Sequence, residues 1–241
     1  MIIRELASVA ELKAAEAFQR LVWGADDPVD NSDLLLAVQH EGGLVAGAFA
    51  GEQMVGFLFA FPSHTPASQH SHRLAVHPSS RGLGLGAKLK WYQRDWCLAR
   101  GITMVRWTYD PLLRVNAALN IARLGATAGI YHENYYGEMA GINAGVPSDR
   151  IVAEWQLDDV RVAERATLDA AQGKGTCAPT PPDAQYIGIP SQFGSLIKTA
   201  PAEALSERLR VRSEMQQCFA QGYRVVDFDG PRHRYQLQTR A

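Results

Sequence analysis

The sequence predicts a mixed α/β fold, and three observations predict it. Short β-branched and aromatic runs alternate with amphipathic helical patterns through the first 157 residues. One strand, Ser71–Val76, breaks at His77-Pro78 into a glycine-rich turn that opens directly into a helix. Two apolar runs, Gly43–Ala50 and Met54–Phe61, flank a tight Gly51-Glu52 turn and read as a hairpin. In order, Met1–Leu6 is a strand, Glu11–Val22 and Ser32–His40 are helices, and the hairpin and the Ser71–Val76 strand follow. Leu85–Arg100 is a helix, Thr103–Tyr109 a strand, Asn116–Leu124 a helix and Ile151–Leu157 a late strand. The order is therefore β-α-α-β-β-β-α-β-α-β.

Beyond this, Val160–Leu168 continues as a helix, and Ala170–Gln185 is rich in Pro, Gly and small residues, a linker or long loop. Tyr186–Ile189 reads as a strand, Pro190–Leu196 as a turn, and Ala200–Gln221 as a long helix with Leu205, Leu209, Met215 and Phe219 among its apolar positions. Tyr223–Phe228 and Tyr235–Gln238 close a hairpin across Gly230-Pro231. The expected organisation is a domain over 1–157, a linker over 158–185 and a small α+β extension over 186–241. The extension is too small and polar to stand alone. Its Leu205 and Leu209 are expected to bury against the main domain or, in a homodimer, a second subunit.

Composition narrows the function. The 241 residues are 46% hydrophobic and carry a net charge of −1, which gives no electrostatic basis for binding nucleic acid or anionic lipid. No apolar run reaches membrane-span length, and the N-terminus has no signal-peptide core. Three widely separated cysteines, Cys97, Cys177 and Cys218, suit a reducing, cytoplasmic setting and no metal site. Leu85, Leu89, Tyr92, Trp96 and Ala99 form one helical stripe, with Lys88, Lys90, Arg94 and Asp95 mostly off it, so Cys97 is expected to be a packing residue.

The chemistry concentrates at Arg81, Gly82, Leu83, Gly84, Leu85 and Gly86. Glycines at a strand-to-helix turn let backbone N–H groups converge, and the helix start adds orphan N–H groups and a positive dipole end, a site for pyrophosphate. A P-loop is excluded because no Lys-Ser or Lys-Thr pair follows in register, and the glycines do not have dinucleotide-fingerprint spacing.

Arg81-x-x-Gly84-x-Gly86 after V-x-P resembles the coenzyme A loop of the GNAT N-acyltransferase superfamily, Q/R-x-x-G-x-G/A. The element order over the first 157 residues resembles that family too. The segments WTYDPL, NAALNIARLGA, YYGEM and INAGVPSDR resemble a GNAT branch found beside N-succinylamino-acid racemases and o-succinylbenzoate synthases. The resemblance implies a mixed central sheet with a splayed strand pair holding the acyl-pantetheine between Leu74–Val76 and Trp107–Tyr109. It implies acetyl-CoA or succinyl-CoA as donor, no metal, and the amine of a small molecule as acceptor, with an amino acid favoured by the branch. The oxyanion donor would be the backbone N–H of Ala75 or Val76, and Leu74 to Val76 would pair with the pantetheine amides as an added strand.

His72, Asp110 and Glu138 are candidate proton acceptors. Asp110 could instead orient His72, bind the acceptor's ammonium or start a turn. The family's leaving-group tyrosine aligns with Ile121, which cannot donate a proton, so Tyr109, Tyr131, Tyr135 and Tyr136 are the alternatives, with Tyr136 preferred. Asn116 and Asn120 share one helix face, and Asn116 resembles a pantetheine contact or else is an N-cap. Arg150 is a candidate fork for a carboxylate, with Arg73 and Arg106 as alternatives. A non-catalytic acyl-CoA-binding module and a protein or peptide N-acetyltransferase are the competing functions.

Overall fold

The computed structural model describes residues 1–25, 27–137, 146–171 and 183–239. Two compact units divide them, Met1–Arg106 and Trp107–Ala241.

The first unit is an antiparallel sheet in the order β1 (Ile2–Glu5), β2 (Leu44–Ala50), β3 (Gln53–Pro62), β4 (Ser68–Val76). Helices α1 (Val9–Trp23) and α2 (Ser32–His40) pack on one face. Ser8 caps α1 by accepting from the Glu11 N–H at 3.2 Å, and Asn31 caps α2 by accepting from the Leu34 N–H at 2.8 Å. Leu12, Ala15, Phe18 and Leu35 meet Val45, Phe57, Phe59 and Ala75 in one core. Helix α3 (Leu85–Leu98) takes the opposite face. A Cβ on Gly56, the neighbour of Phe57, would lie 2.9 Å from Leu89 and 3.3 Å from Leu85.

The inward face of α3 is Leu85, Ala87, Leu89, Lys90, Gln93, Trp96 and Cys97. Lys90 is only 2% exposed, which corrects its expected place off the stripe. Its Nζ donates to Ser71 Oγ and Gln93 Oε1, both at 2.9 Å, so the helix buries a polar seam against β4. Gln93 Nε2 donates to Gln69 Oε1 at 2.7 Å, and Cys97 Sγ to the same oxygen at 3.3 Å.

The second unit begins within β5 (Met104–Tyr109) and orders its later strands β7 (Arg150–Gln156), β6 (Thr127–His132), β9 (Tyr223–Asp229), β10 (Arg234–Thr239), β8 (Gln185–Gly188). β6 was not foreseen, since Ala128-Gly129 at its centre lowers strand propensity. The helix expected at Asn116–Leu124 starts earlier, as α4 (Arg114–Ala117), and widens into a π-helical turn over Ala118–Arg123. Its N-cap is Leu113, which rules out the N-cap reading of Asn116.

Helix α5 (Val160–Ala170) sends Arg161 to the Gly125 carbonyl at 2.9 Å and Arg165 to the Ile121 carbonyl at 3.2 Å. The expected turn at Pro190–Leu196 contains a short helix, α6 (Phe193–Thr199), which leads into α7 (Pro201–Ala220). The buried face of α7 is Ala204, Arg208, Val211 and Met215. Leu205 and Leu209 are 39% and 46% exposed in this chain, so they do not bury within the unit as one of the expected arrangements required. The stripe is displaced because Arg208 turns inward to a buried carboxylate.

Candidate active site

In the first unit β4 ends at Val76, and Pro78–Ser80 form a single 3₁₀ turn. Pro78 removes a donor and stops the strand. Gly82 (φ 80°) and Gly84 (φ 73°) are both left-handed, a conformation that a Cβ makes costly. Gly84 is the N-cap of α3 and makes no side-chain cap. The first helical bond runs from the Lys88 N–H to the Gly84 carbonyl at 3.2 Å, which leaves the N–H groups of Leu85, Gly86 and Ala87 without a helical acceptor. Arg81, Gly82 and Leu83 are exposed. The segment 81–87 therefore offers main-chain donors and the positive end of a fourteen-residue helix to an anion.

β4 itself has one bonded and one open side. It pairs with β3 along its length, but its parallel register with β5 covers only Ser68, Gln69 and His70. The His77 N–H donates to the Val55 carbonyl at 2.9 Å. Bonded pairs alternate in an antiparallel ladder, so Ala75 exchanges bonds with Phe57, while the N–H groups of Leu74 and Val76 point away from β3. Of the two N–H groups expected to serve an oxyanion, the alternation favours Val76.

A bulge at Phe59/Ala60 leaves His72 unmatched in the ladder and turns both His72 and Arg73 toward the segment between α1 and α2. His72 Nε2 lies 3.5 Å from Asp30 Oδ1, and its ring packs edge-on against Phe59 at 5.6 Å. Burial, the neighbouring His72 and Lys90 push the His70 pKa down to about 4, so His70 is neutral at pH 7. Arg73 donates to Asp30 at 3.0 Å, to Asp27 at 2.7 Å and to the Pro28 carbonyl at 2.5 Å, and stacks over Trp23. Its guanidinium is engaged in holding this segment.

In the second unit the end of β5 gathers Thr108, Asp110, Tyr136 and Arg150. Tyr136 is 54% exposed, and its hydroxyl lies 3.1 Å from Thr108 Oγ1. The Arg150 guanidinium stacks over the Tyr136 ring at 5.0 Å and lies 4.0 Å from Asp110 Oδ2, while Nη1 donates to the Asp149 carbonyl at 2.8 Å. Asp110 accepts two bonds from Arg208, at 2.7 and 2.5 Å, and one from the Leu112 N–H at 2.9 Å. Asn120 is buried within the π-helical turn, Asn116 is half-buried before it, and Ile121 is fully buried. Turns of this kind are frequent at functional sites. Glu138 and Cys177 lie outside the described residues.

Burial pushes the Cys97 thiol up to about 12 against the opposing pull of Lys90 and Arg100, and burial and Glu214 raise that of Cys218. Neither is poised as a nucleophile. A folded variant with Cys97→Ala, Cys177→Ser and Cys218→Ser is expected to keep most of its turnover. Loss of turnover with acetyl-CoA binding intact would point to a route through a cysteine thioester. Among the described residues no group of three His, Cys, Asp or Glu could hold a metal, and no helix is long and apolar enough to cross a membrane.

Comparison with known proteins places this geometry. No curated protein matches the chain. An aminoglycoside 6'-acetyltransferase type Ii superposes with TM-score 0.52 and 20% identity, over 66% of this chain and 99% of its own. The ribosomal-protein-S18-alanine N-acetyltransferase from Escherichia coli superposes with TM-score 0.54 and 19% identity, over 66% of this chain and 95% of its own. The yncA protein from Salmonella typhimurium, with its cofactor acetyl-CoA, superposes with TM-score 0.54 and 20% identity over the same shares. Residues 9–125, which include the glycine loop, match the model of the acetyltransferase (GNAT) family. The likeness to the GNAT acetyltransferase family thus covers just under half of the chain and includes the glycine loop.

Proposed function

We propose that the protein transfers an acetyl group from acetyl-CoA to the primary amine of a small carboxylate-bearing molecule, an amino acid being the favoured acceptor. The observation that carries the reading is the loop Arg81–Gly86, whose two left-handed glycines deliver the chain onto an uncapped helix N-terminus within the family segment. In this reading the N–H groups from Gly82 to Ala87 receive the pyrophosphate, and Leu74 and Val76 pair with the pantetheine amides. The Val76 N–H meets the thioester oxygen as charge builds there. Asn116 and Asn120 contribute to holding the pantetheine arm.

The acceptor nitrogen attacks the thioester carbon directly. The new C–N bond forms, the C–S bond breaks, and sulfur departs with the bonding pair. His72 takes the proton lost by the nitrogen, with Asp30 fixing its ring. Tyr136, exposed and next to Thr108, supplies a proton to the departing sulfur in the place that Ile121 cannot fill. Asp110 is held by Arg208 and acts through charge and position rather than as the base. Arg150 receives the acceptor's carboxylate as a fork.

The buried Ile121 favours one competing reading, an acyl-CoA-binding module without turnover. The test is incubation with acetyl-CoA or succinyl-CoA and a panel of amino acids, amines and basic peptides, with products identified by mass spectrometry. N-acetylated amino acids are expected. Tight donor binding with no acylated product would establish the module instead, and acylation of peptides alone would move the acceptor to proteins.

A further inference from the structure

We propose that Arg73 is a positioning residue for the base: it directs the Asp30 carboxylate so that Asp30 holds His72 Nε2 and leaves Nδ1 to take the acceptor's proton. The proposal rests on the reading of His72 as that base.

In a regular strand neighbouring side chains point to opposite faces, so His72 and Arg73 would part. The register of β3 on β4 matches Phe59 with Arg73 and Ala60 with Ser71, and His72 is the extra residue between them. A bulge re-aims the side chains beside it. Here two successive residues reach the same carboxylate. Arg73 Nε donates to Asp30 Oδ2 at 3.0 Å, and His72 Nε2 lies 3.5 Å from Asp30 Oδ1. The two oxygens are divided between guanidinium and imidazole.

The Asp30 backbone is fixed from α1. Gln19, fully buried, donates through Nε2 to the Asp30 carbonyl and accepts the Asp30 N–H through Oε1, each at 3.0 Å. These bonds hold the main chain and leave the direction of the carboxylate to Arg73. Arg73 is itself set by Asp27 at 2.7 Å, the Pro28 carbonyl at 2.5 Å and the Trp23 ring at 4.6 Å. A planar guanidinium fixes direction in this way, whereas a lysine ammonium supplies a point charge.

Burial alone would raise the Asp30 pKa, but His72 and Arg73 hold it below the usual carboxylate value, so at pH 7 its oxygens only accept. Neutral His72 therefore carries its proton on Nε2, and Nδ1 presents the lone pair. Phe59 and Phe61, each with its ring 5.6 Å away, wall the imidazole, and the side chain stays 36% exposed, open to an acceptor. The charged and titratable groups around it are Asp30, Asp27, Arg73 and His70. Arg73 is paired with both carboxylates. His70, 6.1 Å away with its pKa pushed down to about 4, is neutral at pH 7 and adds no like charge when His72 gains its proton.

The experiment is a double-substitution cycle on full-length protein labelled with 15N-histidine and followed by NMR, with His72→Gln assigning the His72 resonance. Asp30→Asn should move the His72 titration midpoint down by about one pH unit. In Arg73→Gln, and in Arg73→Lys, which keeps the charge, Asp30→Asn should move it less than about a third as far, because the carboxylate has already left the imidazole. Charges that act independently add, so equal displacements in the two backgrounds overturn the proposal, as does a midpoint that Asp30→Asn leaves in place. A second arm measures free-thiol release from acetyl-CoA with the standard L-amino acids other than cysteine. In Arg73→Lys, Asp30→Asn and the double variant, kcat should fall about ten- to hundredfold and by similar factors, with KM for acetyl-CoA near wild type. Losses that multiply in the double variant overturn the proposal. Full kcat in His72→Gln refutes the reading of His72 as the base, a failure distinct from an additive cycle.

Discussion

Arg208→Met is expected to destabilise the protein by about 3–5 kcal/mol, the usual cost of removing one partner from a buried ion pair. Arg208 is 1% exposed and Asp110 8% exposed, and the two share a bidentate contact. Removing the guanidinium leaves a buried carboxylate whose remaining close donor is the Leu112 N–H, with Arg150 at 4.0 Å. The methionine refills most of the volume over Phe193, where the guanidinium now stacks at 4.8 Å. The loss is therefore electrostatic and not a cavity. Arg208→Met combined with Asp110→Leu should recover most of the stability, because a pair of apolar residues leaves no uncompensated charge. Urea unfolding of both variants checks this, and a single variant within about 0.5 kcal/mol of wild type would refute it.

Lys90→Met is expected to stabilise the protein at pH 7, with a gain that shrinks as pH rises. Burial pulls the Lys90 pKa from 10.5 down to about 7. The sign follows from proton counts. Between the folded value near 7 and the unfolded value near 10.5, the unfolded chain binds more protons at this site, so stability rises with pH. Below the folded value both states are protonated and the penalty is constant. The slope is at most about 1.4 kcal/mol per pH unit. Cys97, Tyr109, Tyr131 and Tyr235, all raised in the folded state chiefly by burial, oppose it above about pH 9, so the useful window is pH 7 to 9. Subtracting variant from wild type cancels those groups. Loss of a donor to Ser71 and Gln93 offsets about 1–3 kcal/mol of the gain, but it does not change the slope. A difference that stays flat from pH 7 to 9 would show that Lys90 is charged in the fold at ordinary pH.

The first part of the chain was legible because each element is marked locally. The turn at Gly51-Glu52, the stop at Pro78 and the paired glycines 82 and 84 state their backbone geometry directly, and the order of strands and helices follows from hydrophobic period. The π-helical turn at Ala118–Arg123 was not legible, since NAALNIAR has an ordinary helical pattern and the widening depends on what packs around it. Lys90 was misplaced for a related reason. Its partner Ser71 lies nineteen positions back on another element, and periodicity treats a lysine as solvated. The largest gap concerned Asp110. Its position before Pro111 suggested a turn residue or a base, while its partner sits 98 positions later in α7. An arginine on the buried stripe Ala204–Arg208–Val211–Met215 is the one signal that could have indicated a buried carboxylate somewhere in the fold.

The account stands most directly on the loop Arg81–Gly86, and calorimetric titration of acetyl-CoA into wild type and Gly84→Val tests it. Gly84 is left-handed at φ 73°, where a β-branched residue is strained, and a Cβ branch would stand among the donors assigned to the pyrophosphate. Micromolar or tighter binding is expected for the wild type, weakened more than tenfold, at least about 1.4 kcal/mol, in a folded Gly84→Val variant. Equal affinity in the two proteins would contradict the assignment of this loop as the acyl-CoA site.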